Sequence, residues 1–255
     1  KVNFIHNSIM IRTTNKPPLS PRRQRRRDAR TEDILAAAQG LLVEEGFEAL
    51  TMQRLANELD HAVAAVYRYF PSKDALLAEL QRRVLVAIRD LNEGRREALE
   101  ALLVRRSAGR KAAGIVRVVA LLDAYRDFAR DETERFQLFA LTVGDPRERI
   151  GGDEARATYE SALVLLSDLR DRLVGAADEG ALDRGDAMDR AVLLWSSVHG
   201  LLLVRKLSRF DPRLFDVERL ADRLVEDLLR GYGAAPAVLK EALTLTAAAR
   251  RLART

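Results

Sequence analysis

The sequence predicts an all-α fold, and three observations support that prediction. Alanine, leucine, arginine and glutamate are strong helix formers, and they dominate the 255 residues. Valine and isoleucine recur mostly at helical spacing, and no sustained alternation of apolar and polar residues indicates a strand. The hydrophobic content of 47% and the chain length suit one or two globular domains with a sizeable core.

The composition also restricts the chemistry. Cysteine is absent, which excludes disulfides, thiolate zinc sites and thiol nucleophiles. A helical metal oxidase needs a glutamate three residues before a histidine, but Ser196 occupies that position before His199. The sequence contains no glycine-rich phosphate loop of the Walker or Rossmann type. We therefore expect a protein that is not an enzyme and that carries no metal or cofactor.

Basic residues are concentrated at the start of the chain. Residues 1–31 contain nine basic side chains and one acidic side chain, whereas residues 32–75 contain three basic and eight acidic ones. The run Arg22–Arg30, next to Pro21, predicts a self-repelling, disordered arm over residues 1–30. Such arms bind phosphates or enter a minor groove, and a solubilising tail is the alternative.

The first helix is predicted to begin after Thr31, a favourable N-cap residue, and to end at Gly46. Thr51 is expected to cap a short second helix, and a third short helix follows Asp60. Ser72 is expected to cap a fourth helix. Three helices of about 14, 8 and 8 residues joined by short turns form a helix-turn-helix unit in which the third helix is the recognition helix. An ordinary small helical bundle is the alternative.

Two stretches carry a more specific resemblance. Thr51–Ala56 and Val66–Leu77 resemble the signature of the TetR family of bacterial transcriptional regulators, and the matched region covers residues 31–80. The resemblance implies an N-terminal three-helix helix-turn-helix domain and a C-terminal helical domain for ligand binding and dimerisation. The corresponding boundaries are 31–78 for the DNA-binding domain, 79–232 for the regulatory domain and 233–255 for a C-terminal extension.

The resemblance also implies a set of residues that contact DNA. Thr51 and Lys73 are expected to bind phosphates, and Tyr67 and Tyr69 to bind the backbone or pack at the groove edge. For Tyr67 a purely structural role is the alternative. The predicted DNA-binding residues are Thr51, Arg54, His61, Ala62, Val63, Ala65, Tyr67, Arg68, Tyr69 and Lys73.

The segment Leu59–Ala65 departs from the family pattern Ala-Gly-Val-Ser-x-Gly-Thr. Asp60 replaces the turn glycine, and aspartate adopts a left-handed conformation more easily than most residues. Ala62 replaces the capping serine, which loses about 1 kcal/mol of helix stabilisation. His61 and Arg68 remain as polar side chains for base reading, with His61 alternatively capping the turn. Three apolar residues are expected to touch thymine methyl groups: Ala62, Val63 and Ala65.

Beyond residue 72, apolar periodicity and glycine or proline breaks predict further helices near 73–103, 110–130, 132–143, 154–180, 186–208 and 215–231. Two of them carry apolar residues at alternating spacings of three and four, the pattern of helices that pack at a shallow angle. We expect them to form a four-helix interface between two copies, and packing within one chain is the alternative. The predicted interface residues are Tyr159, Ala162, Leu166, Leu169 and Leu173, together with Ala191, Trp195, Val198 and Leu202.

Five aromatic or imidazole side chains are candidates for a ligand pocket: Tyr125, Phe128, Phe139, Trp195 and His199. Ordinary core packing is the alternative for each of them, because their spacing is that of helix interiors. The segment after Pro236 is expected to be an extra amphipathic helix or a frayed tail.

The resemblance implies a function as well. We expect a homodimeric repressor that binds a palindromic operator and is released by a small molecule, so its partners are double-stranded DNA, the effector and a second copy. A TetR fold that has lost specific operator binding is the alternative, because the recognition segment is rich in alanine. No signal-peptide core and no apolar run of about 18 residues is evident, so we expect a cytoplasmic protein without a membrane partner.

Overall fold

The computed structural model describes residues 20–143 and 152–253, and within these ranges it contains helices and no strand. In chain order the helices are α1 Pro21–Glu44, α2 Met52–Glu58, α3 Val63–Tyr67, α4 Lys73–Arg105, α5 Arg110–Asp131, α6 Thr133–Val143, α7 Gly152–Asp178, α8 Ala187–Leu203, a 3₁₀ turn Arg205–Arg209, α9 Val217–Gly231 and α10 Pro236–Leu252. The all-α prediction is confirmed.

The first helix is longer than its sequence suggests. It begins at Pro21, and the hydroxyl of Thr31 donates to the carbonyl of Arg27 at 2.9 Å instead of capping a helix start. Proline is pre-organised for a first helical position, arginine is a good helix former, and Gln24 donates to Asp28 one turn further on at 2.8 Å. The prediction of a disordered arm is therefore wrong from Pro21 onward, and residues 1–19 lie outside the described part.

The later helices agree with the sequence pattern except at one boundary. The helix predicted over 186–208 ends at Leu203, and a 3₁₀ turn over Arg205–Arg209 follows it. Apolar spacing does not separate a tightened 3₁₀ turn from a continued α-helix over so few residues. The stretch Ala187–Arg209 is also long and apolar enough to cross a membrane by composition alone, with a mean hydropathy of 1.3. A core helix of a soluble protein passes the same test, so this stretch is weak evidence for a membrane span.

Helix α5 lies at the centre of the C-terminal part. It is buried on nearly all sides and contacts α4, α6, α7, α8 and α10. Its buried residues include the charged Asp123 and Arg126, which form ion pairs with Arg250 and Asp222. Gly114 allows α7 to approach closely, since a Cβ atom there would lie 3.2 Å from the Cα of Ala176.

Helices α7 and α8 pack against each other within one chain. Together with the contacts of α7 on α4 and α5 and of α8 on α5 and α9, this packing buries five of the nine residues predicted for the interface between copies: Leu169, Leu173, Ala191, Val198 and Leu202. The interface prediction is wrong for these five residues. Spacings of three and four identify a face that packs on another helix, but they do not say which chain supplies that helix. Among the remaining predicted residues Tyr159 is exposed, and Ala162, Leu166 and Trp195 are half-buried.

The C-terminal extension forms a docked helix. It begins at Pro236 as expected, and α10 packs on α5 through Leu239, Ala242 and Leu245. Near its end the guanidinium of Arg250 binds Asp123 of α5 at 2.7 Å. The helix alternative therefore holds, and the frayed-tail alternative does not.

Candidate nucleic-acid interface

The interior of the N-terminal unit fixes the position of α3. Ile34, Leu35 and Ala38 of α1 are buried, as are Leu55 of α2 and Val66 of α3. Packing on the α1 face leaves the opposite sides of α2 and α3 in solvent. The short α3 is therefore held from one side and presented on the other.

The start of α2 is capped as the sequence predicts. The Thr51 hydroxyl accepts a hydrogen bond from the backbone N–H of Arg54 at 3.0 Å. A threonine hydroxyl that accepts one bond still has its own proton to donate, so Thr51 remains able to bind a phosphate oxygen. The guanidinium of Arg54 forms an ion pair with Glu45 at 2.9 Å. About half of the Arg54 side chain is exposed, so only part of its donor capacity is used inside the protein.

The turn between α2 and α3 forms around an aspartate in the left-handed region. Asp60 has φ of 51°, in agreement with the expectation that it replaces a turn glycine. The N–H of Asp60 binds the carbonyl of Asn57, and the N–H of His61 binds the carbonyl of Ala56 at 2.8 Å. This bonding pattern is the Schellman motif, which satisfies the last carbonyls of a helix. The turn between α2 and α3 thus keeps its left-handed geometry with Asp60 in place of a glycine.

The His61 ring faces its own turn. Its Nδ1 lies 2.8 Å from the carbonyl of Asp60, so Nδ1 carries the donated proton. Its Nε2 is buried and has no hydrogen-bond partner among the described residues. This geometry therefore favours the alternative role of His61, in which its ring caps the turn.

Helix α3 spans Val63–Tyr67, which is shorter than the eight or so residues expected for the recognition helix. It begins after Ala62, whose side chain provides no cap. Exposed residues on this element are Ala62, Ala64, Tyr67 and Arg68, and half-buried ones are Val63, Ala65 and Tyr69. Tyr67 is 48% exposed, so it is not part of the core.

The start of α4 connects the unit to its neighbouring loop. Ser72 caps α4 by accepting from the N–H of Ala75 at 3.0 Å, as predicted. The ammonium of Lys73 donates to the carbonyl of Phe47 at 2.9 Å and lies 4.2 Å from the centre of that ring. An ammonium has three protons, and the bond to the Phe47 carbonyl uses one of them.

Two further groups of exposed polar residues lie on the same unit: the sequence did not predict the first as a DNA contact, whereas the second was expected to bind phosphates. Gln53 and Asn57 of α2 are exposed and joined by a hydrogen bond of 3.1 Å. The sequence feature that identifies them is the polar face of α2 opposite the buried Leu55 and Ala56. The second group is the arginine-rich first part of α1, whose side chains are exposed: Arg22, Arg23, Arg25, Arg26 and Arg27.

The N-terminal unit and the C-terminal part share α4 and a set of polar contacts. The guanidinium of Arg83 in α4 binds the carboxylate of Glu32 in α1, and its Nη2 lies 2.7 Å from the carboxylate. The hydrogen bond to Arg83 lowers the pKa of Glu32. Arg135 of α6 donates to the carbonyl of Arg83 at 3.2 Å. Helix α1 is thus tied to the helix that leads into the C-terminal part.

Four of the five residues predicted to line a ligand pocket are buried in the core, and Trp195 is half-buried against it. The rings of Tyr125, Phe139 and Trp195 contact His199, and the Tyr125 hydroxyl is 2.6 Å from His199 Nδ1. Burial lowers the pKa of His199, and its Nε2 has no partner in the described part of the chain. Phe128 is buried too and faces Arg135 instead.

Together, these elements define a helical protein with a helix-turn-helix unit for DNA joined by one long helix to a larger helical domain. Residues 34–80 match the family described as "Bacterial regulatory proteins, tetR family", and residues 118–228 match "Tetracyclin repressor-like, C-terminal domain". The chain belongs to the TetR family, whose members are DNA-binding transcriptional regulators and not enzymes.

Individual relatives are distant in sequence. The chain is 26% identical over 180 residues to the uncharacterized HTH-type transcriptional regulator Rv0681 of Mycobacterium tuberculosis, covering 71% of this chain and 72% of that one. A tetR-family regulatory protein from Rhodococcus RHA1 has a similar fold, with a TM-score of 0.56 at 19% identity over 80% of this chain and 97% of that one. SmeT, the repressor of the Stenotrophomonas maltophilia efflux pump SmeDEF, has a TM-score of 0.54 at 22% identity over 82% of this chain and 92% of that one. At these identities the structural likeness concerns the fold alone.

Proposed function

We propose that the protein is a cytoplasmic, homodimeric transcriptional repressor that binds a palindromic operator and is released by a small molecule. The observation that carries the DNA part is the exposed side of α2 and α3. Arg68 and Tyr67 lie there with Thr51, and none of these three side chains is buried in the core. Such groups supply phosphate and groove contacts.

An exposed apolar face supports the dimer. On α8 the residues Leu193, Ser196, Gly200 and Leu203 follow spacings of three, four and three, and all four are exposed. Val164 and Val174 of α7 are exposed as well, at 55% and 43%. Apolar faces of this kind are covered in stable proteins, and small residues between the apolar ones allow a helix to approach closely. A second copy related by a twofold axis would place two α3 helices about 34 Å apart, the spacing of half-sites in a palindrome.

The dimer is tested by sedimentation equilibrium of the full chain. Leu193→Asp places a charge on the exposed α8 face, and we expect it to convert the protein to a monomer. Val104→Asp is the matched control, because Val104 is 79% exposed on α4 away from that face. A wild-type monomer, or equal behaviour of both variants, contradicts the dimer surface.

Operator binding is tested by fluorescence anisotropy with duplexes tiled across the DNA upstream of the protein's own gene. We expect one duplex to bind more tightly than the others, and Arg68→Ala to weaken that binding about tenfold. Arg106→Ala is the control, since Arg106 is an exposed arginine at the far end of α4. If no duplex of any sequence binds at low salt, the protein is not an operator-binding regulator.

The arginines of α1 are proposed to add phosphate contacts. Replacing Arg22, Arg23 and Arg25 by glutamine keeps the helix and removes three charges, so we expect weaker binding and a salt dependence that is flatter by about 0.9 per lost contact. A control variant with Arg209 and Arg213 changed to glutamine removes exposed charges far from α3. Equal salt slopes for the wild type and the α1 variant would mean that these arginines do not contact phosphates and serve solubility instead.

The alternative function, a TetR fold without specific operator binding, has one observation in its favour. Ala62, Ala64 and Ala65 offer no hydrogen-bonding side chain on α3, and the His61 ring faces its turn. The tiled-duplex experiment separates the two functions. Uniform, strongly salt-dependent binding to every duplex favours the alternative, and a preferred duplex favours the repressor.

A further inference from the structure

A cavity of about 260 Å³ lies between α4, α5, α7 and α10. Its walls include Leu99 of α4, Ala120 and Leu121 of α5, and Ala249 of α10. None of the aromatic residues around His199 lines it. Its volume is close to the lower end of the roughly 300–1,000 Å³ of small-molecule sites, so it suits a small ligand.

The residues that line this cavity carry four guanidinium groups and two carboxylates, so the lining has a net positive charge. Arg95 binds Asp127 at 2.6 Å, and Arg250 binds Asp123 at 2.7 Å. The third lining guanidinium, Arg172, is held by Asp168 at 3.1 Å. Each of these lining cations therefore has an acidic partner.

Arg96 differs from the other three arginines of the lining. It is exposed at the cavity, and within residues 20–143 and 152–253 no ion pair or hydrogen bond joins its guanidinium to another group. A planar guanidinium binds carboxylates in a two-point geometry. A cavity that has Leu99, Leu121 and Ala249 in its walls, a positively charged lining and a guanidinium at its edge is therefore complementary to an apolar molecule that carries one anionic group.

Helix α10, which lies beyond the residues matched to the C-terminal family, closes one side of this cavity. The match to the C-terminal family ends at residue 228, and α10 begins at Pro236. Ala249 and Arg250 form one wall, and Arg250 is fixed by its bond to Asp123. Without α10 the cavity would be an open groove on α4 and α5.

We propose that this cavity binds a small apolar carboxylate, with the carboxylate on Arg96 and the apolar body between Leu99, Leu121 and Ala249. The proposal names a ligand class for the regulator and rests on the proposed function only for the consequence of binding. Helix α4 connects the cavity to the DNA-binding unit, because α4 lines the cavity and begins at Lys73 beside α3. Binding itself involves no DNA.

Calorimetric titration of the full chain with octanoate tests the proposal, with octanol and octylamine as probes of the same chain length. We expect octanoate to bind at least fivefold more tightly than either of the others. Arg96→Gln should reduce octanoate affinity at least fivefold and leave octanol affinity unchanged. Arg105→Gln is the control, since Arg105 is an exposed arginine on the same helix outside the cavity.

A second pair of variants tests the location. Ala249→Trp fills the cavity and should abolish octanoate binding, whereas Ala247→Trp places the same ring on the exposed side of α10 and should not. The proposal is overturned if octanoate fails to bind, if octylamine binds equally well, or if Ala249→Trp retains the affinity. Loss of binding in Phe139→Leu together with retention in Ala249→Trp also overturns it, because the site would then be the aromatic cluster. A failed titration leaves the operator experiment unaffected, so the two proposals fail separately.

Discussion

The guanidinium of Arg83 on α4 lies 2.7 Å from the carboxylate of Glu32 on α1, and the two residues are 51 positions apart in the sequence. The pair connects the long first helix to the helix that runs into the C-terminal domain. Glu79, one turn before Arg83, shares the same guanidinium at 2.8 Å. The three residues form a small charged network on the surface between the two parts of the chain.

We expect this network to contribute modestly to stability. Glu32→Gln should lower the free energy of unfolding by about 0.2–1 kcal/mol, because the Glu32 side chain is 60% exposed and water screens the pair. Urea unfolding of both single variants and of Glu32→Gln with Arg83→Gln measures the coupling. Additive effects in that double-mutant cycle would mean that the two side chains do not interact.

A missing cap at α3 can be restored. Ala62 has the extended backbone of an N-cap residue, with φ of −66° and ψ of 137°, but its methyl group accepts no hydrogen bond. Ala62→Ser should raise the free energy of unfolding by about 1 kcal/mol. The matched control is Ala64→Ser, which places the same side chain two residues later on the exposed side of α3. Thermal unfolding in which Ala64→Ser stabilises as much as Ala62→Ser would disprove the capping argument.

The buried end of α10 is expected to be sensitive to charge removal. Arg250→Ala leaves Asp123, whose side chain is only 12% exposed, without its main partner, and we expect a loss of about 3 kcal/mol. Arg251→Ala removes the neighbouring exposed guanidinium and should change stability little. Chemical denaturation of both variants provides the comparison. Similar small effects would indicate that the α10 ion pair is not held in solution.

His199 predicts a dependence of stability on pH. Burial lowers the pKa of His199 below its ordinary value of 6.5, so the folded protein holds fewer protons at this site than the unfolded chain. Stability from this site is therefore fully present above pH 6.5 and falls as the pH drops toward the lowered pKa. Unfolding curves between pH 7 and about pH 5 should show a smaller loss for His199→Asn than for the wild type. Equal losses would mean that His199 is not buried in its neutral form.

Local chemistry accounts for the parts of the fold that the sequence predicts well. Thr51, Ser72, Gly46 and Asp60 act through backbone groups a few residues away, so residue type and position suffice to assign them. The start of α1 differs from the expectation because the helix propensity of the arginines outweighs the repulsion between their charges.

Contacts between distant residues were not predictable in the same way. Lys73 reaches the Phe47 carbonyl across 26 residues, and Arg250 reaches Asp123 across 127. Neither pairing leaves a periodic signal in the chain. The apolar spacing on α7 and α8 indicates that these helices pack on another helix, but it does not identify that helix, and only burial distinguishes the buried face of α8 from its exposed one.

The length of α4 has a mechanical consequence. At 1.5 Å per residue, the segment from Lys73 to Arg96 is a rigid lever of about 35 Å. A tilt of about 5° around the arginine end displaces the lysine end by about 3 Å, which is as long as a hydrogen bond. Under the proposed function, a molecule that displaces one end of this helix would need to move it only slightly to shift α3 relative to a DNA groove.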